Sequence, residues 1–356
     1  MHKIIIIIFV TLCHLSSQNI FTLNYHREDW RIIKESVNLY NTSDKLFIEI
    51  NTYSPYTLIN HSKEAIKSNV IIGLNTSFSC SLIELPMTYD NIQISNYTYI
   101  IQYDKVLHFF EGIGLGYHIE HNESLTFIHQ LYEQYHFDHM KFVLEDHYPK
   151  GCIHFGGVPN DAHLSFPYKG VIKVDESLPT WGFDINQIEF DNIKHKVHFP
   201  TIMLIGSPSM FIGNDFMDYM KEVILTKCIG GEGTIQCDDD IVYSNNTINF
   251  VFGEQKIHIR LKDLFEFKRA KISQYYFWWD YKFNETILGF EFVELFNYTI
   301  FDYENKQIEF YSDRIVIQSN ISHANIKVSL IINNVIILSS VLNIILLIFM
   351  KYRLIN

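Results

Sequence analysis

The sequence predicts an all-β protein built from two lobes, and three observations lead to this prediction. The chain has 356 residues, of which 47 % are apolar and 15 % aromatic, so two packed cores can be filled. Between the two ends short apolar runs recur, and helical spacing is clear in one segment, residues 125–135. A short apolar run that leads into a Ser-Pro turn occurs twice, at Ser54-Pro55 and at Ser207-Pro208, as two similar halves would require.

Individual segments justify this class in chain order. Leu46 to Ile50 predicts a short strand, and residues 92–95 and 99–103 predict a hairpin around Asn96. Apolar residues between Leu125 and Tyr135 recur every three or four positions, which predicts a helix with one buried face. Residues 141–144 predict another strand. Many short strands with few helices define an all-β protein.

The charge balance excludes one class of partner. The chain carries 28 Lys and Arg against 40 Asp and Glu, a formal net charge of -12, and it has no basic tract. Nucleic-acid binding requires clustered Lys and Arg to neutralise phosphates, so we expect no nucleic-acid partner.

The first residues predict a secretory signal peptide, residues 1–18. His2 and Lys3 give a short polar start, an apolar run follows from Ile4 to Leu12, and small residues around Ser17 offer a cleavage region. The alternative is a buried first strand, which the charged start and the position at Met1 disfavour.

The opposite end predicts a single membrane span, residues 329–350, which carries no charge and is long enough for a bilayer helix. Lys351 and Arg353 follow directly and place the tail, residues 351–356, in the cytoplasm. The expected topology is type I, in the secretory pathway, at the cell surface or in an endomembrane. The alternative is a lipid-anchor signal with attachment at Ser319, Asn320 or Ser322, but such signals usually end in their apolar tail.

Acceptor motifs for N-glycosylation agree with secretion. Each has the form Asn-x-Ser/Thr without Pro at x, and all lie before the predicted span. Their asparagines are Asn41, Asn60, Asn75, Asn96, Asn122, Asn245, Asn284, Asn297 and Asn320.

The cysteines predict disulfides. One of them, Cys13, falls in the predicted signal, which leaves an even number in an oxidising compartment. Cys228 and Cys237 would close a short glycine-rich loop, and the pair Cys80 and Cys152 then follows by elimination. Free buried thiols are the alternative.

Several segments, in order along the chain, resemble landmarks of the pepsin-like aspartic peptidases, family A1. Residues 111–117, Glu-Gly-Ile-Gly-Leu-Gly-Tyr, resemble the family's Asp-Gly-Ile-Leu-Gly-Leu stretch, and residues 151–157 resemble its Gly-x-Leu-x-Phe-Gly-Gly strand. Residues 181–188 are similar to the Trp-containing strand that opens the second lobe, and residues 287–310 give the strongest match.

The resemblance extends over roughly residues 27–312 and implies a bilobal fold of two double-ψ barrel lobes. The N-terminal lobe would comprise residues 19–165 and the C-terminal lobe residues 166–314. A stalk, residues 315–328, would then connect the second lobe to the predicted C-terminal transmembrane helix.

Two departures from the family bear on function. In the family each lobe contributes an Asp-Thr-Gly loop, and the two carboxylates share one proton and hold a water between them. Here Asn51 and Leu204 occupy the two aspartate positions, Tyr53 replaces the first glycine, and Ile205 replaces a threonine that braces the lobes. General acid–base groups contribute ~10²- to 10⁴-fold each, so the resemblance implies a member without catalytic residues.

The resemblance also implies a cleft between the lobes, partly covered by a flap. We expect the flap at residues 92–103, which lack the family's Tyr-Gly-x-Gly pattern, so that Tyr97 or Tyr99 would replace its tyrosine. The candidate cleft residues are Tyr53, Ser54, Tyr97, Tyr99, Gly206 and Ser207.

Other constellations predict no chemistry. Histidines at a spacing of three, at 118 and 121 and again at 136 and 139, could share a helix face and bind a metal, but solvent-exposed or hydrogen-bonded side chains are the simpler interpretation. We therefore predict no metal and no cofactor. The acidic run at 238–240 predicts a solvated loop, and the aromatic patch at 277–281 predicts core rather than a partner site.

The function predicted from the sequence is that of a membrane-anchored, catalytically inactive homologue of these peptidases that binds a peptide or protein. The alternative is an active aspartic endopeptidase with an unrecognised pair of carboxylates, although no Asp-Thr-Gly or Asp-Ser-Gly occurs in the chain. A surface glycoprotein with a filled cleft is a third possibility.

Overall fold

Strands dominate the computed structural model of the chain. It describes residues 20–28, 31–39, 46–52, 57–59, 66–72, 76–89, 92–102, 112–117, 123–147, 150–178, 180–205, 214–224, 226, 229–231, 234–237, 246–264, 273–275 and 285–319. The described residues up to Gln318 belong to one compact unit.

The described residues of the first half lie mostly in strands, as predicted. Its strands are β1 (Phe21–Glu28), β2 (Arg31–Leu39), β3 (Leu46–Asn51), β4 (Leu58–Ile59), β5 (Ile66–Ile72), β6 (Thr76–Tyr89), β7 (Ile92–Gln102), β8 (Gly112–Gly114), β9 (Lys141–His147), β10 (Lys150–Phe155) and β11 (Tyr168–Lys173). The strands predicted at 46–50 and 141–144 correspond to β3 and β9.

The second half continues the pattern with shorter strands. They are β12 (Trp181–Phe190), β13 (Ile193–Met203), β14 (Ile229–Gly231), β15 (Thr234–Cys237), β16 (Thr247–Phe252), β17 (Gln255–Arg260), β18 (Ser273–Tyr275), β19 (Thr286–Leu288), β20 (Tyr298–Asp302), β21 (Gln307–Ser312) and β22 (Val316–Ser319). The α-helices of the described residues are α1 (Phe127–Tyr135), α2 (Asn214–Tyr219) and α3 (Phe290–Val293).

Hydrogen bonds join these strands into three sheets. The largest has the order β11-β21-β20-β9-β10-β1-β2-β3-β8-β4-β7-β6-β5, the second the order β19-β13-β12-β16-β17-β22, and the third the order β14-β15-β18. In the large sheet β20, from the second half, pairs antiparallel with β9, from the first half, with Thr299 opposite Leu144. The two halves of the chain are therefore joined by a continuous ladder.

An aromatic cluster packs where the two halves meet. Phe142 of β9 stacks on Phe301 of β20 with ring centroids 4.5 Å apart, and Trp181 meets Phe301 edge-on at 5.1 Å. All three side chains are fully buried. Aromatic pairs at such distances add roughly 0.5–1.5 kcal/mol each beyond the effect of their buried area. This cluster therefore stabilises the contact between the two halves of the chain.

Helix α1 forms where the sequence predicts a helix, because its apolar side chains recur on one face. Phe127, Ile128 and Leu131 are buried, and the Thr126 side chain caps the first turn by accepting a hydrogen bond from the His129 amide at 3.3 Å. The helix ends at His136, whose φ of 51° is left-handed, as is common after a last helical turn.

Side chains of α1 occupy the edge of β7 that faces away from β6. The side-chain oxygen of Gln130 accepts a hydrogen bond from the main-chain amide of Thr98 at 2.8 Å, and its side-chain nitrogen donates one to the Thr98 carbonyl at 3.2 Å. The Tyr135 hydroxyl makes the same two-way contact with Gln93, at 2.7 and 3.0 Å. The helix thus satisfies main-chain groups of β7 that strand β4 does not reach.

The hairpin predicted around Asn96 is not formed. Instead β7 is continuous from Ile92 to Gln102, and the turn lies one segment earlier, because Tyr89 of β6 is directly opposite Ile92 of β7. The register shifts once, since Leu85 pairs with Tyr97 and Met87 with Ile94. Two residues of β7, Ser95 and Asn96, therefore oppose the single residue between 85 and 87, which is a β-bulge.

The predicted chain ends lie largely outside the described residues. This holds for the signal peptide, residues 1–18, the span, residues 329–350, and the tail, residues 351–356. The predicted stalk begins at 315, but residues 316–319 form strand β22 of the six-stranded sheet, and Ile317 is buried. Of the helices that the structure describes, none has the length and apolar character to span a bilayer.

Candidate functional site

Strand β3 carries the first of the two loops singled out from the sequence. It ends at Asn51, and its neighbour is β8, which runs parallel to it and places Gly114 opposite Asn51. Ile50 and Ile113 lie opposite one another one residue earlier, and both are buried. Asn51 is therefore held at the end of a buried two-strand unit.

Strand β13 carries the second loop in an equivalent arrangement. Its parallel neighbour is β19, with Met203 opposite Leu288, and the Leu204 amide donates a hydrogen bond to the Leu288 carbonyl at 2.9 Å. One residue further on, Leu204 corresponds to Asn51, and Gly289 corresponds to Gly114. The two halves thus repeat one local geometry around positions 51 and 204.

Thr52 joins the two loops directly. Its hydroxyl donates a hydrogen bond to the Met203 carbonyl at 3.0 Å and accepts one from the Ile205 amide at 2.7 Å. The Thr52 amide donates to the Ile205 carbonyl at 3.1 Å. Thr52 and Ile205 are both fully buried, so these three bonds form in a dry environment in which an unmade bond is costly. Residues 51 and 204 are each covalently adjacent to this junction.

The side-chain hydrogen bonds across this junction come from Thr52, because Ile205, at the matching position of the second loop, has no hydroxyl. A different residue contributes there: Thr180, which directly precedes β12, donates a hydrogen bond from its hydroxyl to the Thr52 carbonyl. Thr180 is buried, and its φ of 52° is unusual for a β-branched residue. The contact to the Thr52 main chain fixes this uncommon conformation.

Trp181 and Tyr303 hold the segment that follows β8. The indole Nε1 of Trp181 donates a hydrogen bond to the Leu115 carbonyl at 2.8 Å, and the Tyr303 hydroxyl donates to the same carbonyl at 2.9 Å. Burial raises the pKa of Tyr303 well above its usual value, so its hydroxyl stays a donor. The predicted landmarks around 115 and 181 therefore meet in space.

The chemistry available at the two positions follows from their side chains. A general acid–base pair needs two groups that can exchange a proton, and neither the amide of an asparagine nor the isobutyl group of a leucine can do so near neutral pH. Leu204 is half-buried and cannot hold a water by hydrogen bonds. Position 204 instead presents an apolar side chain.

The structure corrects the predicted role of Tyr97. This side chain is fully buried beside Phe127, and its hydroxyl forms a hydrogen bond of 2.5 Å with the Thr57 hydroxyl. Burial raises the pKa of Tyr97 above its usual range, and the Thr57 hydrogen bond opposes this rise in part. Tyr97 is thus part of the core of the first half rather than of an open cleft surface, because the bulge at 95–96 turns it inward.

The other cleft candidates remain predictions. Tyr53, Ser54, Gly206 and Ser207 lie outside the described residues, and for Tyr99 the structure describes the strand position in β7.

The hairpin tip identifies a residue that the sequence reasoning missed. Tyr89 is the last residue of β6, and the two residues at 90–91 separate it from β7. In the family the flap tyrosine is followed by Gly-x-Gly, and in this sequence Tyr89 is followed by Asp-Asn, residue types that favour turns between strands. The signal was present in the Asp-Asn pair between two alternating segments.

Of the histidines singled out earlier, His118 and His121 lie outside the described residues, whereas His136 and His139 follow helix α1. His139 lies 3.5 Å from a Glu304 carboxylate oxygen, and His129 lies 3.8 Å from Glu133. His136 is outside the helix, so it does not share a helix face with His139. Over the part of the chain that the structure describes, no three His, Cys, Asp or Glu side chains are arranged to bind a metal ion.

The predicted disulfides and glycosylation sites remain predictions. Cys152 Sγ lies 3.1 Å from the Asn24 side-chain oxygen, and the pairings Cys80–Cys152 and Cys228–Cys237 remain predictions. Asn96 is exposed, whereas the Asn297 side-chain oxygen accepts a hydrogen bond from the Asp313 amide at 2.9 Å. The asparagines of the other motifs lie outside the described residues.

Comparison with known proteins agrees with a two-lobed β fold of this kind. The structure is similar to that of an aspartic proteinase from Irpex lacteus, with a TM-score of 0.63 and 14 % identity, over 85 % of this chain and 99 % of that one. It is also similar to basic 7S globulin from soybean, with a TM-score of 0.61 and 12 % identity, over 86 % of this chain and 97 % of that one. These likenesses establish an all-β bilobal pepsin-like fold.

The sequence itself identifies the family. Residues 86–312 match the family model described as eukaryotic aspartyl protease, which is more than half of the chain. A comparison with curated protein sequences gives no match. The chain belongs to the pepsin-like aspartic peptidases of family A1, as the resemblance of its motifs predicted.

Proposed function

We propose that this protein is a non-catalytic member of the pepsin-like family that binds an extended peptide or a protein segment between its two lobes. The observation that carries the proposal is the junction at Thr52. It fixes the loop ends, and with them positions 51 and 204, where the family has its two aspartates. Those positions hold Asn51 and Leu204.

Loss of catalysis follows from the large contribution that each general acid–base group makes to the rate. Each general acid–base group contributes ~10²- to 10⁴-fold, and the two act on one water. With neither group present, both contributions to the rate and the polarised water are lost together. The energy of peptide binding does not depend on these groups, since it comes mainly from burial of side chains and from main-chain hydrogen bonds.

Retention of the junction supports a binding role rather than simple loss of function. Thr52 still joins the two loops by buried hydrogen bonds, Thr180 binds the main chain of the first loop, and Trp181 holds the neighbouring segment after β8. The fold by itself decides nothing about activity, because the two structural neighbours are named as a proteinase and as a globulin. The junction stabilises the fold, and it also keeps the ends of both loops in the relative position that a cleft between the lobes requires.

We further propose a type I membrane protein of the secretory pathway. The support is the apolar amino terminus, the uncharged segment 329–350 and the basic residues that follow it. The ectodomain would then present its cleft outside the cell or within an endomembrane lumen.

A peptidase assay tests the catalytic part of the proposal. The full chain is incubated with a diverse peptide mixture between acidic and neutral pH, with and without pepstatin, and products are read by mass spectrometry. We expect no pepstatin-sensitive cleavage. Cleavage that pepstatin blocks would show an active aspartic endopeptidase and would overturn the proposal.

A binding assay tests the other part. Peptides selected from a random display library on the full chain are measured again on Leu204→Trp, which enlarges the side chain at the loop junction. Leu164→Trp is the matched control, because Leu164 is 65 % exposed in the turn before β11. We expect the Leu204 variant to weaken binding by at least tenfold and the Leu164 variant to leave it unchanged. Equal affinities for all three proteins would place binding elsewhere.

A further inference from the structure

The bulge in β7 exposes an asparagine that the proposed function does not use. Tyr97 and Ile94 are both buried, yet Asn96, two residues after Ile94, is exposed. In a regular strand residues 94 and 96 would share a face. The inserted residue at 95–96 reverses this alternation and turns Asn96 outward.

The partner strand explains why the bulge forms at this place. The residue opposite the bulge is Pro86, which lacks an amide hydrogen and cannot complete a regular ladder. On the other side, Gln130 and Tyr135 of α1 anchor β7 at Thr98 and Gln93. The bulge is therefore fixed from both ends, and Asn96 projects from a rigid strand.

Asn96 begins the motif Asn96-Tyr97-Thr98, which is an acceptor for N-glycosylation. From the bulge geometry we infer that Asn96 carries an N-linked glycan in the folded protein. In this modification the Asn96 side-chain nitrogen forms a bond to the anomeric carbon of a lipid-linked oligosaccharide. The bond from that carbon to the lipid diphosphate breaks, the diphosphate leaves with the lipid, and the amide nitrogen loses one proton to the transferase.

The local structure accommodates the attached sugar. Thr98 makes its two hydrogen bonds with Gln130 through main-chain atoms, so these bonds do not use the hydroxyl that the acceptor motif requires. The glycan would leave β7 on its exposed side, opposite the buried Tyr97, without displacing core residues.

The second described motif provides a contrast. At Asn297 the side-chain oxygen already accepts a hydrogen bond from the Asp313 amide, and the Thr299 side chain is buried. Asn96 makes no comparable structural contribution through its exposed side chain. Removal of its glycan should thus leave the fold unchanged.

The test expresses the full chain in a eukaryotic secretory host and maps occupied sites by glycosidase release in heavy-oxygen water, which converts each glycosylated Asn to labelled Asp. We expect Asn96 to be labelled, and Asn96→Gln and Thr98→Ala each to lose one glycan. The matched control Thr98→Ser keeps the acceptor motif and should keep the glycan. Melting temperatures of the glycan-free variants should stay close to that of the parent.

Unlabelled Asn96 in a chain whose other motifs are occupied would overturn the inference, and so would a chain without any glycan. The peptidase and binding assays are read on the same preparations and do not depend on Asn96. Failure of this inference is thereby distinguishable from failure of the proposed function.

Discussion

Removal of the Thr52 hydroxyl is the most direct test of the junction between the loops. Thr52→Val keeps the shape of the side chain and leaves two buried main-chain groups without a partner, the Ile205 amide at 2.7 Å and the Met203 carbonyl at 3.0 Å. An unsatisfied buried group costs about 1–3 kcal/mol. For two such groups we therefore expect the free energy of unfolding to fall by about 2–6 kcal/mol.

The assay is urea unfolding of the full chain in detergent, followed by tryptophan fluorescence, with parent and variants produced without glycans. The matched control is Thr299→Val, since the Thr299 hydroxyl is buried and has no hydrogen-bond partner among the described residues. There the same substitution should be neutral or stabilising, because it removes an unsatisfied polar group. Thr52→Ser retains the hydroxyl and should lose only about 1 kcal/mol for its methyl group.

If Thr52→Val changed stability by less than about 0.5 kcal/mol, or by no more than Thr299→Val does, the junction hydrogen bonds would be absent and the equivalence of positions 51 and 204 would lose its support.

Three further outcomes follow from other contacts. Gly151→Ala should lower the free energy of unfolding, measured with urea, by about 1–3 kcal/mol, because the new Cβ would lie 2.2 Å from the Tyr25 hydroxyl oxygen. An unchanged free energy of unfolding would mean that the Tyr25 ring does not pack against residue 151. Burial opposes ionisation of Glu309, but hydrogen bonds from groups such as the Tyr311 hydroxyl outweigh it and hold the pKa of Glu309 below its usual value. The ionised Glu309 therefore stabilises the fold above its unfolded-state pKa of about 4.3, and this contribution is lost as pH falls through its folded-state pKa. Glu309→Gln should flatten the plot of unfolding free energy against pH between about pH 5 and 3. An unchanged slope of that plot would contradict this prediction. Trp181→Phe removes an indole hydrogen bond of 2.8 Å and should cost about 1–3 kcal/mol in urea unfolding, whereas Phe183→Leu, a buried change without a lost hydrogen bond, should cost less.

The sequence predicts the class and the landmarks of this fold well where local pattern and tertiary packing agree. Strand β3, helix α1 and the motif strands follow from apolar spacing, and buried side chains such as Leu131 confirm the predicted faces. The positions that matter most, 51 and 204, are identified by the resemblance to the family, and a Ser-Pro pair begins three residues after each of them.

The flap region shows why the rest could not be predicted. Apolar runs on both sides of Asn96 suggest two strands with a turn between them, but a bulge and a turn produce similar breaks in alternation. Pairing with the preceding strand, β6, decides the matter in favour of a bulge. Likewise no local signal shows that Thr180 would contact the Thr52 carbonyl, because that bond joins residues far apart in the chain.

The contacts of Gln130 and Tyr135 with β7 have a consequence for behaviour in concentrated solution. A strand margin with open amide and carbonyl groups can recruit a foreign strand and seed aggregates. Here the side chains of Gln130 and Tyr135 make the hydrogen bonds that a neighbouring strand would make. The main-chain groups of Gln93 and Thr98 at this edge are therefore already paired. Substituting both helix residues by alanine would reopen that margin and create a nucleation point for fibrils.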